Sequence, residues 1–161
     1  MTEQVLTIPR IAADEYHRRN ATALRKVAAG EITRAQAGAL MAPWASIALL
    51  SGVPVDELAP HLAAQLADLR KCIVHYAGDC SGPVYDHLLD EDEARILLAT
   101  DICGPNTWGP TLSNARDTAI ARADTEEKID RARNLCRLAR ALDVPLTLAS
   151  CGQPSKERIA A

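Results

Sequence analysis

Cys72, His75, Cys80 and His87 stand in the order C-x2-H-x4-C-x6-H. Two thiolates and two imidazoles are a donor set that zinc accepts in a tetrahedron. On a helix, Cys72 and His75 share a face, and the turn-rich loop of residues 77–83 can return Cys80 towards them. The spacings fit no established zinc module, and cysteine in a reduced protein is commonly a small core residue. No cofactor is therefore expected, with zinc as the one candidate.

The same segment offers a thiol nucleophile. Cys80 precedes Ser81-Gly82-Pro83 at an expected helix start, where the helix dipole lowers a thiol pKa. His75 and His87 are bases near in sequence, and Asp79 or Asp86 can orient one of them. A Cys–His enzyme normally draws its base from a distant segment, and no family signature surrounds Cys80. A polar loop between helices accounts for the same residues, so no catalytic residue is assigned. Walker, dinucleotide-fingerprint, HExxH, GxSxG and EF-hand patterns do not occur, which lowers the expectation of the commonest enzyme classes.

Charge is distributed unevenly. Between residues 79 and 101 seven acids, Asp90, Glu91 and Asp92 among them, meet one base, Arg95. Near the end of the chain Arg133, Arg137 and Arg140 fall at i, i+4 and i+7, one stripe on a helix. Acids belong at helix starts and arginines near helix ends, where they complement the dipole. The same two surfaces also suit electrostatic docking, either onto a partner or against each other, and the arginine stripe is the place for phosphate contacts if nucleic acid is bound. Trp108, in the turn-rich segment of residues 103–110, is either an interface anchor or a plug at the end of a bundle.

Composition bounds these options. The 161 residues suit one domain with a single core. There is no Phe, aromatics are 3%, and apolar residues are 48% of the chain, so the core is built of Ala, Leu, Ile and Val. Alanine favours helix over strand. The 18 basic residues are 14 Arg and 4 Lys, a bias that codon composition explains as well as anion recognition does. A net charge of −3 gives no overall field for nucleic acid. Five cysteines, an odd number, point to reduced thiols and a cytoplasmic protein. No run approaches the ~20 apolar residues of a membrane span, and the N-terminal segment lacks the pattern of a signal peptide.

The elements that must hold any site centre on residues 33–58. Thr33 and Gln36 have capping-box spacing. Ala37, Leu40, Met41, Trp44, Ile47 and Ala48 follow at three- and four-residue steps, which predicts one buried helix face with a kink near Pro43 and an end at Ser51-Gly52. Ala48-x3-Gly52-Val53-x4-Leu58 resembles the helix-turn-helix of small DNA-binding proteins. The second helix of that resemblance reads Val-Asp-Glu-Leu-Ala-Pro-His-Leu, acidic where base and phosphate contacts need donors, so a plain helical hairpin is expected. The arginine-rich helix, the Val-Ala-Ala-Gly turn and the Ala/Met/Trp stripe of residues 16–50 resemble hairpins of small prophage-encoded helical proteins of unknown function. That resemblance implies a phage or mobile-element origin and transfers no functional residue.

Around this centre the pattern predicts helices over residues 11–29, 56–76, 83–89, from Asp90, 111–123 and 125–142. Residues 4–8 and 145–149 can form a short terminal strand pair, and residues 153–161 read as a disordered tail. Residues 103–110 are the expected sub-lobe boundary. The expected fold is an all-α bundle of about six to seven helices. The expected role is a cytoplasmic, non-enzymatic interaction protein, an adaptor or inhibitor of a protein partner. A nucleic-acid-binding regulator using Arg133, Arg137 and Arg140 is the second reading, and a zinc-stabilised module at Cys72–His87 the third.

Overall fold

Thr7 opens the first helix, its hydroxyl accepting from the Arg10 N–H at 3.4 Å. Helix α1 spans Ile8–Ala28, with Pro9 in its first turn, where no backbone donor is missed. Ile8 is therefore helical rather than part of the expected strand, and the proposed partner strand at residues 145–149 lies outside the described residues. In this computed structural model those are residues 5–71, 73–77 and 84–144.

Helix α2 spans Arg34–Leu50 and carries the expected capping box in full. The Gln36 N–H reaches the Thr33 hydroxyl at 3.1 Å, and the Thr33 N–H reaches the Gln36 side chain at 2.8 Å. The helix runs through Pro43, which is buried. Ala37, Met41, Trp44, Ile47 and Ala48 are buried as expected, but Leu40 is 55% exposed. Gly52, at φ +88, ends α2 in a left-handed turn that lets the Val53 N–H bond the Ala48 carbonyl at 3.1 Å. Val53 is then driven fully into the core.

A single 3-10 turn, Val55–Glu57, leads to helix α3, Pro60–Lys71. The expected long third helix is thus shorter at both ends. Pro60 fits only a first turn, and Ile73-Val74-His75-Tyr76 is a β-branched and aromatic run that favours a strand. Strands β1, Ile73–Ala77, and β2, Val84–Leu88, pair antiparallel, with Ile73 opposite Leu88 and Ala77 opposite Val84. The short helix expected over residues 83–89 is replaced by β2.

Helix α4, Glu91–Ile102, begins with a second complete capping box, formed by Asp90 and Glu93. Helix α5, Pro105–Ala121, starts earlier than expected. Gly104 is its N-cap and Pro105 its first residue, so the turn-rich residues 105–110 form its first turns. Helix α6, Glu126–Ala141, is capped by Thr125, whose hydroxyl accepts from the Lys128 N–H at 3.3 Å. Asp124, the residue before Thr125, is engaged by the Lys128 ammonium at 2.7 Å.

The protein is an all-α bundle of six described α-helices with the hairpin between α3 and α4. Its larger core joins α1, α2, α5 and α6 through Ile11, Tyr16, Trp44, Leu112, Leu135 and Leu138. A smaller one joins Leu49 of α2 to Leu66 of α3 and to Ala94, Leu98 and Ala99 of α4. Alanines let α2 and α4 approach closely enough for the buried Ser46 hydroxyl to bond the Ala99 carbonyl at 2.7 Å. Among the described residues no helix is long and apolar enough to cross a membrane.

Candidate functional site: a basic cleft between α1, α5 and α6

Glu15 of α1 is 4% exposed and carries a carboxylate into the junction of α1 and α6. A buried carboxylate survives as an anion only if it is paired. Arg131 of α6 donates to it twice, from Nε at 2.8 Å and Nη2 at 3.2 Å. Arg19, one turn along α1, adds an Nε bond at 3.2 Å. Burial on its own would raise the Glu15 pKa. The Arg131 hydrogen bonds and charge, with Arg19 and Arg18 behind them, outweigh burial and hold it below the ordinary carboxylate value.

The two arginines are fixed in turn. The Arg19 guanidinium lies over the Trp44 ring, 3.9 Å from its centroid, a stacking that adds a cation–π attraction. Burial lowers the pKa of Arg19, an effect that Glu15 opposes and that the charges of Arg131 and Arg18 reinforce. Hydrogen bonding to Glu15 raises that of Arg131. Both side chains remain about one-third exposed, at 31% and 34%. They face outwards into a cleft.

The cleft consists of two adjacent cavities, both with Arg19, Thr111 and Arg131 in their walls. One, of about 710 Å³, opens between α1, α5 and α6, with Asn114, Thr118, Arg122 and Lys128 on its walls. The other, of about 630 Å³, lies between α1 and α2 and adds Arg18, Lys26 and Trp44. Thr111, Asn114, Ala115, Thr118, Ala119 and Arg122 follow one stripe of α5, and the small residues leave the space open. Among the described residues, six basic side chains line the two cavities and no carboxylate does. The Lys128 ammonium bonds Asp124 at 2.7 Å beside the opening. Arg122 makes no ion pair among the described residues.

Comparison with known proteins finds no matching family model, no matching curated protein and no matching solved structure. The reading of the cleft therefore rests on its own geometry.

The residues singled out from sequence fall elsewhere. Trp108 lies in the first turns of α5 at 9% exposure and belongs to the larger core. Arg133 and Arg140 are exposed and Arg137 is half-buried. Two residues along a helix is a turn of about 200°, so Arg133 looks away from the side on which Arg131 lines the cleft. It pairs loosely with Asp130 at 3.5 Å.

Asp90, Glu91 and Asp92 are exposed at the start of α4. Asp90 caps the helix, its carboxylate accepting from the Glu93 N–H at 2.8 Å. Glu91 and Asp92 act on Arg95, whose guanidinium is buried against the end of α2 and bonds the carbonyls of Leu49, at 3.0 Å, and Val53. Burial lowers the pKa of Arg95, and those two acids oppose the shift.

Of the metal candidates, Cys72 and Cys80 lie outside the described residues. His75 is on β1 opposite Asp86, and His87 is on β2 opposite Val74. Cys72 and His75 therefore do not share a helix face as expected, because His75 belongs to a strand. Among the described residues, the helix expected over residues 83–89 and invoked to activate Cys80 is not found: Val84–Leu88 is β2. Among the described residues no three His, Cys, Asp or Glu side chains gather as metal ligands would, and Cys103 and Cys136 are free thiols.

Proposed function

We propose that this protein is a non-enzymatic interaction protein, an adaptor or inhibitor, that grips an acidic segment of a partner protein in the basic cleft. The observation that carries the reading is the lining itself: among the described residues Arg18, Arg19, Lys26, Arg122, Lys128 and Arg131 line two adjacent cavities, with no carboxylate in either lining. Arginine forks held rigid lose little entropy when they bond a planar anion, and Glu15 already displays the bonding they offer. The resemblance of residues 16–50 to prophage-encoded hairpins supports a phage or mobile-element origin.

A protein segment suits this site better than a nucleic-acid duplex. A duplex carries its charge far beyond a cleft of this size, and beyond the cleft it meets a chain of net charge −3. A short acidic segment makes its contacts inside. Both tryptophans are buried, so neither offers an open face for base stacking.

The test is recovery of partners from native lysate by the tagged wild-type chain, by a doubly reversed cleft variant (Arg18→Glu with Arg122→Glu), and by Arg133→Glu. The expected result is one protein held stoichiometrically by wild type and by Arg133→Glu and lost by the cleft variant. A partner retained by the cleft variant, or a nuclease-sensitive nucleic acid in its place, overturns the reading.

A further inference from the structure

Four cations stand on the larger cavity, Arg19, Arg122, Lys128 and Arg131. Among the described residues two carboxylates are bonded to them, Glu15 to Arg19 and Arg131 and Asp124 to Lys128. Among the described residues, two positive charges are left without a counter-ion at one opening. The donors that remain are also directional. Glu15 occupies Nε of Arg19 and Nε and Nη2 of Arg131. Among the described residues nothing accepts from either Nη of Arg19 or from Nη1 of Arg131, although Trp44 and Glu15 hold both guanidiniums in place.

A carboxylate does not use such a set fully. It has two oxygens and one charge, and Glu15 shows both oxygens taken up by the inner edges of two forks. A phosphate monoester has three acceptor oxygens and carries about two negative charges near neutral pH. Its tetrahedral arrangement lets separate forks bond separate oxygens, and its charge matches the excess in the cavity. Asn114 and Thr118 on the α5 wall supply neutral donors beside the guanidiniums. A phosphodiester of nucleic acid offers one charge per group and matches the excess less well.

The geometry points to a phosphoryl-binding site in the cavity of Arg19, Arg122, Lys128 and Arg131, which takes a phosphorylated side chain of the partner segment. Glu15 is its positioning residue: it aims two guanidiniums and is itself out of reach of the ligand. This assignment rests on the docking reading of the cleft and adds the chemistry of the group recognised.

Calorimetric titration of the full chain, at constant ionic strength, tests it with three probes: O-phosphoserine, acetate and a single-stranded oligonucleotide. Phosphoserine is expected to bind saturably, acetate not to compete with it, and the oligonucleotide to bind more weakly. Arg122→Gln is expected to weaken phosphoserine about tenfold, the loss of one charged donor pair, while its circular dichroism and melting stay those of wild type. Arg131→Gln also releases Glu15 and can unfold the chain, so Arg122→Gln is the deciding variant. Absence of phosphoserine binding, equal competition by acetate, tighter binding of the oligonucleotide, or an Arg122→Gln variant with unchanged affinity each overturns the proposal. If phosphoserine fails while the partner protein is still lost on reversing the cleft charges, the docking reading stands alone. If both fail, neither does.

Discussion

Arg95 and Arg131 are both drawn inward by packed helices, and they differ in what meets the guanidinium. Arg95 bonds two main-chain carbonyls at the end of α2, where a cation complements the helix dipole. Its charge is balanced through space by Glu91 and Asp92 of its own helix. Arg131 instead meets the carboxylate of Glu15 from another helix, 116 residues away in the chain, and keeps an edge towards open space. The first arginine closes a structural joint. The second shares its one bonded carboxylate with Arg19, so a single anion holds two guanidiniums. A buried arginine reads as structural when backbone oxygens consume it, and as a binding group when cations outnumber the anions that hold them.

The comparison is broken most forcefully at Arg95. Arg95→Ala strips the carbonyls of Leu49 and Val53 of a charged donor and opens a void where α2 and α4 meet. A loss of about 3 kcal/mol in denaturant unfolding is expected, with partner binding by the folded fraction unchanged. Arg95→Met fills the void without the donor and should recover part of that stability. A variant that keeps full stability but loses the partner would place Arg95 with the binding arginines and end the distinction.

Glu15 comes next. Glu15→Gln leaves Arg19 and Arg131 facing a neutral amide, and because both are already about one-third exposed to water, a loss of about 2 kcal/mol is expected. Its pH dependence is specific. The folded-state pKa of Glu15 is depressed, so its stabilisation is fully present above the unfolded carboxylate value and is lost as pH falls through the folded value. Wild type should therefore weaken on acidification through the carboxylate range more steeply than Glu15→Gln. Parallel acid limbs in the two proteins would mean that Glu15 does not hold the arginines as an anion.

The same contrast explains what can be read in the sequence. Capping boxes at Thr33/Gln36 and Asp90/Glu93 are local, four residues long, and the structure contains both. The buried stripe of α2 is legible for the same reason, except at Leu40, which sits on the rim of the cleft. The strands escape the pattern because Ile73 continues the leucine spacing of α3, and only pairing with β2 lifts the ambiguity. The start of α5 escapes it because Gly104 and Pro105 are turn residues that also begin helices. The cleft is not legible, since its arginines belong to α1, α5 and α6 and look like solvated charges until those helices pack. One trace is present: a stripe of Thr, Asn and Ala on α5 that ends at Arg122 carries no large apolar side chain.

The asymmetry within α6 gives the smallest effect and the sharpest control. Arg133 and Arg131 are two residues apart, yet Arg133 is 72% exposed and its pair with Asp130 spans 3.5 Å. An exposed pair of that kind contributes between 0 and about 1 kcal/mol. Arg133→Gln is therefore expected to shift stability by less than about 0.5 kcal/mol and to leave phosphoserine and partner affinity unchanged. Arg122→Gln shifts stability as little and should lower both affinities. Equal losses in the two variants would reduce the cleft to a general positive field, and a loss in Arg133→Gln alone would move the interface to the outer stripe of α6. Only a loss confined to Arg122→Gln separates an arginine that lines a binding cleft from one that is merely charged.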